Sequence, residues 1–205
     1  MHDLVIRGGK VVDGSGAPAR MADVAIDAER IVAVGDDVGP GRKEIDAKGM
    51  LVTPGWVDIH THYDGQATWD PHLTPSGWNG VTTLVMGNCG VGFAPVHPGE
   101  ENFLIELMEG VEDIPGTALA EGIEWKWESF PEYLDALEKM PRSVDVGAQV
   151  PHGAVRAYVM GERGVKNEKA TSDDIEQMAD LGSLRTHGIG NRVGHRAYSI
   201  EVLVK

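Results

Sequence analysis

The chain has 205 residues, of which 41% are hydrophobic and 24% are charged, so it can bury one or two modest cores. Its formal net charge of −14 argues against a nucleic acid partner, because phosphate binding requires a basic patch. The single cysteine excludes an intrachain disulfide and fits a reducing compartment. We see no signal peptide and no apolar run near the ~20 residues of a membrane helix, so we expect a soluble cytoplasmic protein with no membrane partner.

The first fifty or so residues predict β structure. The segment LVIRGGKVVDGSG contains two short apolar runs that are separated by Gly8 and Gly9. The segment ADVAIDAERIVAVGD alternates apolar with acidic residues and then turns at Ala28 and Glu29. Alternation with a period of two, interrupted by turn residues, indicates hairpins. We therefore predict a separate β domain over residues 1–54.

After Gly55 the pattern changes to strands that alternate with helices. Short β-rich runs occur at residues 56–60, 81–87 and 144–151. Helical patterns follow in the segments ENFLIELMEGVED, SFPEYLDALEKM and TSDDIEQMADL, and the second of these opens with the capping-box pair Ser129 and Glu132. In the third segment Ile175, Met178 and Ala179 are predicted to face inward. This alternation predicts a parallel sheet built from βα units.

Two stretches differ from this pattern in charge. Residues 100–138 carry twelve acidic side chains and one lysine, which we interpret as solvated helix faces. Residues 182–205 have no helical period and carry scattered glycines with a basic excess. We therefore treat residues 182–205 as a divergent, poorly patterned tail.

The run GWVDIHTH carries a candidate metal site. Alternate residues of a strand share a face, so Asp58, His60 and His62 point in the same direction. Sites in parallel barrels gather at the C-terminal ends of the strands, which is where the two histidines lie. Neutral imidazole is a good Zn²⁺ ligand, and an acidic neighbour can orient a ring. The alternative is that the histidines are simply packed or hydrogen-bonded.

Cys89 is the third candidate ligand. It follows the predicted strand VTTLVMG and lies 27 positions after His62, which is close to one βα unit of ~30 residues. Adjacent strands would then bring the thiol and the imidazoles to the same edge of the sheet. The neighbouring Gly87 and Gly90 indicate a tightly bent backbone, although a buried, inert cysteine is the alternative.

Several segments resemble a known family. Two of them, GGKVVDGSG and MLVTPGWVDIHTHYD, resemble the start of the amidohydrolase superfamily. Three more are similar to its D-aminoacylase branch, the N-acyl-D-amino-acid deacylases: WDPHLTPSGWNGVTTLVMGNCGVGFAPV, EGIEWKWESFPEYLDAL and GAQVPHGAVRAYVMGERG. The resemblance runs from residue 1 to about residue 181.

The resemblance implies an α/β fold with an N-terminal, sandwich-like β domain. The first strands and helices of an incomplete TIM-like (β/α)8 barrel would follow over residues 55–181. It also implies that His60, His62 and Cys89 bind Zn²⁺. In the family the tightest zinc site combines the cysteine with two histidines from later strands, and the HxH pair contributes to a second, weaker position. The implied reaction is hydrolysis of a small N-acyl-D-amino acid to a carboxylate and a D-amino acid. Zinc would activate water and the amide, and an aspartate would carry the proton.

Alternatives stay open because a complete barrel needs ~250 residues. We expect only three or four barrel strands here, so the later metal histidines and the catalytic aspartate would come from strands outside this sequence. No catalytic residue is assigned. One alternative, which we expect for the isolated 205 residues, is a non-catalytic, truncated part that binds metal weakly and depends on a partner. Another is a cyclic-amide hydrolase of the dihydropyrimidinase kind, against which the GNCG cysteine argues. The sequence does not give the side-chain preference, the number of metal ions or the oligomeric state.

The remaining histidines and two tryptophans have weaker claims to function. His152 matches a stretch of the family, but a supporting or structural role is favoured over a ligand. Alternating aromatic residues before a helix cap more often pack than line a pocket, so Trp125 and Trp127 are predicted to pack. Surface or packing roles are predicted for two loop histidines, and no role is assigned to two in the tail: His72 and His97, and His187 and His195.

Overall fold

The computed structural model describes residues 1–183 and 197–199. The chain divides into two units, the first of which is Met1–Gly55, and the second begins at Trp56. Each unit has its own sheet and its own cluster of buried apolar side chains. Among the described helices, none is long and apolar enough to cross a bilayer.

The first unit is a five-stranded sheet. Its strands are β1 (His2–Val11), β2 (Arg20–Asp27), β3 (Arg30–Gly35), β4 (Gly41–Asp46) and β5 (Leu51–Val52). The strand order is β3-β2-β1-β4, with β5 beside the end of β1. β1 and β2 are antiparallel, as are β2 and β3, whereas β4 and β5 run parallel to β1. The predicted hairpin turn is confirmed, with Ala28 at a φ of 51°.

The predicted break at Gly8 and Gly9 is wrong, because β1 is continuous through both residues. The glycines instead accompany a register shift between Ile6 and Gly9 against β2. Gly8 has a φ of +62°, and a Cβ atom on Gly9 would lie 2.4 Å from Cγ2 of Val52. The glycines therefore allow β5 to approach β1 closely. The sandwich-like packing stays a prediction.

The second unit contains a parallel sheet with helices between its later strands. Its strands are β6 (Trp56–Thr61), β7 (Val81–Met86), β8 (Asp145–Ala148) and β9 (Ala197–Ser199), in that order across the sheet. Its helices are α1 (Glu101–Glu112), α2 (Gly116–Gly122), α3 (Phe130–Glu138), α4 (His152–Met160), α5 (Glu162–Val165) and α6 (Ser172–Ser183). The predicted parallel sheet and the three predicted helices are thus confirmed. Closure into a barrel stays a prediction.

The sheet extends into the tail at one place. Residues 197–199 form β9, which pairs in parallel with β8. The sequence after residue 182 did not predict this strand, because three residues are too few to show a period. The first two residues of the predicted tail belong to α6, which ends at Ser183. Residues 184–196 and 200–205, with His187 and His195, lie outside the described residues.

α3 begins as its sequence predicts. The amide of Glu132 donates to Ser129 Oγ at 3.4 Å, and the amide of Ser129 donates to Glu132 Oε2 at 2.8 Å, which completes the capping box. The helix buries Phe130, Tyr133 and Leu137. These three side chains anchor α3 in the apolar core of the second unit.

The two tryptophans before α3 pack, as predicted. Trp127 is 7% exposed, and its indole Nε1 donates to the carbonyl of Phe93 at 2.7 Å. Trp125 meets Phe93 edge-on, with ring centroids 5.6 Å apart. Trp127 also contacts Tyr133 at a centroid distance of 5.0 Å. This aromatic group fills the core rather than lining a pocket.

The predicted inward face of α6 is wrong for two of its three residues, and only Met178 is half-buried. Ile175 is 57% exposed, and Ala179 is exposed as well, whereas Asp174 is 6% exposed. Asp174 accepts hydrogen bonds from Arg163 at 2.7 Å and from the amide of Thr171 at 2.8 Å. These bonds lower the pKa of Asp174 to about 2. The helix therefore turns its capping carboxylate inward, because capping and ion pairing outweigh the weak apolar stripe.

β6 forms one edge of the described part of its sheet. Val57 and Ile59 on this strand are 60% and 65% exposed. The buried Thr61 instead donates its hydroxyl to the carbonyl of Val85 on the neighbouring strand at 3.3 Å. The end of β6 that carries the histidines is thereby fixed against β7.

Candidate metal centre

The candidate ligands lie where two parallel neighbouring strands end. His60 is the second-last residue of β6, and His62 follows the strand directly. Cys89 follows β7 by three residues. Because β6 and β7 pair in parallel, with Thr61 opposite Met86, their C-terminal ends meet at the same edge of the sheet. The topology therefore brings the three side chains to one place.

The three donor groups converge. One ligand atom from each of His60, His62 and Cys89 lies within 4.8 Å of the other two. Cys89 Sγ is 3.5 Å from His62 Nε2 and 4.0 Å from His62 Nδ1. The two imidazole centroids are 5.5 Å apart. His60 and Cys89 are exposed, whereas His62 is half-buried.

A tight turn presents the Cys89 thiol. Gly87 and Gly90 have φ values of 79° and 89°, in the left-handed region that favours glycine. The amide of Gly90 donates to the carbonyl of Gly87 at 3.0 Å, which closes the turn. A Cβ atom on Gly87 would lie 2.4 Å from the carbonyl oxygen of Gln149. The glycines of the GNCG stretch therefore set the path of the backbone around the thiol.

Asn88 joins this turn to the histidine strand. Its side-chain amide donates to the carbonyl of Ile59 at 3.1 Å. Asn88 precedes Cys89 in the turn after β7, and Ile59 precedes His60 on β6. The hydrogen bond therefore connects the backbone next to each ligand. It restricts the separation between thiol and imidazoles without using a donor of the site itself.

The donor set fits a zinc ion. Thiolate and neutral imidazole are the ligands that Zn²⁺ prefers, with bonds of about 2.3 and 2.0–2.1 Å. Tetrahedral coordination at those lengths separates sulfur and nitrogen by about 3.6 Å, close to the 3.5 Å between Cys89 Sγ and His62 Nε2. Three protein ligands leave a fourth position open, as catalytic zinc sites require. That these residues bind metal stays a prediction.

Sequence reasoning missed Glu112. This residue ends α1, and its Oε1 lies 3.2 Å from His62 Nε2. We interpreted the acidic stretch of residues 100–138 as solvated helix faces, but the Glu112 side chain is only 31% exposed and contacts the candidate site. The available signal was an acidic residue at the C-terminal end of a helix, where the helix dipole disfavours negative charge.

Asp64 is the second residue that the sequence did not reveal. It lies two residues after His62 and is 2% exposed. Burial raises the pKa of this carboxyl to about 8, and the charge of Glu112 adds to the effect. Tyr133 donates its hydroxyl to the Asp64 carbonyl at 2.8 Å, whereas Oδ2 of Asp64 has no hydrogen-bond partner within the described ranges. A buried carboxyl with a raised pKa thus lies two residues after His62.

The other histidines lie outside the cluster. His152 is exposed at the first position of α4, beside Gly90, and it is not among the three grouped ligands. His97 stacks on Tyr158 at a centroid distance of 3.8 Å, and its Nε2 bonds the carbonyl of the same residue at 3.1 Å, so it packs as predicted. His72 is exposed, as predicted.

Comparison with known proteins establishes the family. Residues 43–191 match the model of an amidohydrolase family, so the chain belongs to that family. It is 35% identical over 180 residues to a D-aminoacylase of Alcaligenes xylosoxydans xylosoxydans, covering 87% of this chain and 34% of the relative. It is 36% identical to an N-acyl-D-aspartate deacylase of the same organism, covering 79% of this chain and 30% of the relative. The resemblance to the D-aminoacylase branch is thereby confirmed.

Solved structures give the same picture. A crystal structure of D-aminoacylase matches with a TM-score of 0.71 and 35% identity, covering 88% of this chain and 35% of the other. N-acyl-D-glutamate deacylase from Bordetella bronchiseptica, crystallised with zinc and a phosphonate inhibitor, matches with a TM-score of 0.66 and 31% identity over 88% of this chain and 35% of the other. The chain therefore spans about a third of the length of these relatives.

Proposed function

We propose that the chain carries the metal-binding part of a zinc-dependent hydrolase that cleaves the amide bond of N-acyl-D-amino acids. The products would be a carboxylate and a free D-amino acid. One observation carries the proposal: donor atoms of His60, His62 and Cys89 lie within 4.8 Å of one another at the strand ends. Identity of 35% with a D-aminoacylase supports the choice of reaction.

Each of the three residues has a distinct role in the proposal. Cys89 binds as the thiolate and brings one negative charge, whereas His60 and His62 bind as neutral imidazoles. All three donors must lose or lack a proton to bind, so metal affinity falls as the pH is lowered. A bound zinc ion would supply Lewis acidity toward the amide carbonyl and would activate water for attack. The exposure of His60 and Cys89 leaves that side of the site open to a substrate.

We propose the same architecture that the resemblance implies. Residues 1–54 would form a β domain, residues 55–181 would form the first part of a TIM-like barrel, and residues 182–205 would diverge from the family pattern. The parallel order β6-β7-β8-β9 and the position of the candidate ligands after β6 and β7 support the barrel. The TM-score of 0.71 with a D-aminoacylase structure supports it independently.

The test combines metal analysis with an activity assay. The purified chain is analysed for zinc and is then assayed for release of methionine from N-acetyl-D-methionine, with N-acetyl-L-methionine and a hydantoin as control substrates. We expect bound zinc, and chelator-sensitive release from the D-substrate alone would show that the chain is catalytic by itself. Zinc binding without turnover would favour the alternative of a metal-binding part that is not catalytic by itself. Hydantoin cleavage would favour the cyclic-amide alternative, and absence of zinc binding would refute the site.

A further inference from the structure

We propose that Glu112 supplies an oxygen ligand to the cation that His62 and Cys89 hold. The inference rests on the proposed metal site and adds a residue from a third element of the fold. His62 follows β6, Cys89 follows β7, and Glu112 ends α1. Its position 50 residues after His62 hides this relation in the sequence.

The distances around His62 fit coordination by both neighbours. Nε2 lies 3.5 Å from Cys89 Sγ and 3.2 Å from Glu112 Oε1. Tetrahedral zinc with bonds of about 2.3 Å to sulfur and 2.0–2.2 Å to nitrogen and oxygen gives an N–S separation of about 3.6 Å and an N–O separation of about 3.4 Å. His62 Nε2 thus lies at ligand spacing from a sulfur and from a carboxylate oxygen, and Glu112 would be an addition to the converging group of His60, His62 and Cys89, of which it is not a member.

The electrostatics of α1 point the same way. The C-terminal end of a helix carries a partial negative charge and favours lysine, arginine or protonated histidine. α1 has no basic residue in its last turn, and it ends with Glu112, followed by Asp113 in the left-handed conformation. A carboxylate in this position is unfavourable in the free helix, and a nearby dication would compensate it. Local rules are most often broken where function requires it.

Burial separates Glu112 from the other acids of its helix. Glu106 and Glu109 are exposed, whereas the Glu112 side chain is 31% exposed and meets His62. Within the described ranges, His62 is the only ion-pair partner of Glu112, and no lysine or arginine balances it. A half-buried carboxylate beside a thiol and an imidazole gives the site the charge of a cation-binding cluster.

Within the described ranges, Asp64 leaves one buried polar atom without a partner close to His62 in the chain. This carboxyl is 2% exposed, and its Oδ2 has no hydrogen-bond partner among the described residues. A buried polar atom without a partner near a candidate site requires an explanation, which an unseen ion or water would supply.

The test is a Co²⁺ titration of the whole 205-residue chain, because Co²⁺ reports its ligands spectroscopically. Four proteins are compared: the unchanged chain, Glu112→Gln, Glu112→Asp and the matched control Glu106→Gln, which removes the same charge from an exposed site on the same helix. Loss of a partner that only supports a ligand typically costs about 10- to 100-fold in metal affinity. For Glu112→Gln we expect a loss of about 100-fold and altered Co²⁺ d–d bands at saturation.

The controls separate this inference from the metal site itself. Glu106→Gln should bind Co²⁺ like the unchanged chain, and Glu112→Asp should lie between the two. The thiolate-to-Co²⁺ band should persist in Glu112→Gln at saturation, which shows that Cys89 and the fold are intact. Weaker binding with unchanged d–d bands, or unchanged binding, would overturn coordination by Glu112 while leaving the proposed site in place. Absence of Co²⁺ binding by the unchanged chain would overturn both.

Discussion

The two units use clustered polar side chains in opposite ways. In the first unit, Arg7 of β1 lies 2.8 Å from Asp23 of β2 and 2.5 Å from Glu44 of β4, so a cation is placed between two carboxylates. In the second unit, His62 Nε2 lies 3.5 Å from Cys89 Sγ and 3.2 Å from Glu112 Oε1. No lysine or arginine of the described ranges pairs with Glu112.

The difference separates a structural cluster from a candidate functional one. Arg7 saturates its neighbours, and its hydrogen bond lowers the pKa of Glu44 to about 2, so that cluster joins three strands and needs no ligand. The cluster of the second unit keeps three converging donors and an acidic neighbour, Glu112, at the edge of a sheet. Unbalanced charge at strand ends is typical of a site that binds something.

Among variants that test the difference between the two clusters, we expect Cys89→Ser to have the largest effect, which is on zinc affinity. Serine keeps the size of the side chain but is a poor zinc ligand at neutral pH, so we expect zinc affinity to fall by at least about 100-fold. Competition with a chromophoric chelator measures the affinity. The control is His72→Ala, because His72 is exposed and outside the cluster. Equal affinity of Cys89→Ser and the unchanged chain would place the metal elsewhere.

The next largest effect is expected on stability, when a buried side chain is removed from the core of the second unit. Leu137 of α3 is fully buried in the core of the second unit. Leu137→Ala should lower the free energy of unfolding by about 2–5 kcal/mol. Urea denaturation followed by tryptophan fluorescence reports this unit selectively, because all five tryptophans lie between residues 56 and 127. Leu134→Ala, at a half-buried position of the same helix, should cost less. Equal losses would contradict the packing described above.

A smaller effect is expected where the core meets the site. The Tyr133 hydroxyl donates to the Asp64 carbonyl at 2.8 Å in a fully buried contact. Tyr133→Phe should lower the free energy of unfolding by about 1 kcal/mol. The comparison is Tyr158→Phe, whose hydroxyl bonds Glu128 in a partly exposed position. A larger loss in Tyr158→Phe would show that the buried contact does not hold α3 against the HxH segment.

The smallest effect is expected from Glu44→Gln in the balanced cluster. Glu44 has a folded-state pKa of about 2 against an ordinary value of 4.5. Its contribution to stability is therefore complete above about pH 4.5 and is lost as the pH falls toward 2. The glutamine variant should lose this part of the acid sensitivity of the thermal transition of the first unit, followed by circular dichroism. Glu29→Gln, at an exposed turn, is the control. An identical pH profile in both variants would remove the distinction between the clusters.

Local pattern predicted much of the fold. The hairpin turn at Ala28, the capping box at Ser129 and the parallel strands were all available from periodicity and turn chemistry. Those signals act within a few residues, so they can be seen in a sequence. The register shift in β1 was not visible, because Gly9 is explained only by Val52, which is distant in the chain.

Some residues of the candidate site could likewise be predicted from the sequence, and others could not. The HxH spacing and the position of Cys89 after the next strand predicted that these side chains would meet, because parallel neighbours end at one edge. Glu112 could not be found by such reasoning, since its approach to His62 depends on how α1 packs rather than on a period. The inward turn of Asp174 on α6 was missed for a related reason, because its partner Arg163 lies on a different helix.

Zinc K-edge X-ray absorption of the 205-residue chain loaded with one equivalent of Zn²⁺ tests the central claim most directly. The account predicts one sulfur neighbour at about 2.3 Å together with imidazole nitrogen at about 2.0–2.1 Å. The sulfur neighbour should disappear in Cys89→Ser, because the chain has no other cysteine. A first coordination sphere of oxygen and nitrogen alone in the unchanged chain would contradict the account.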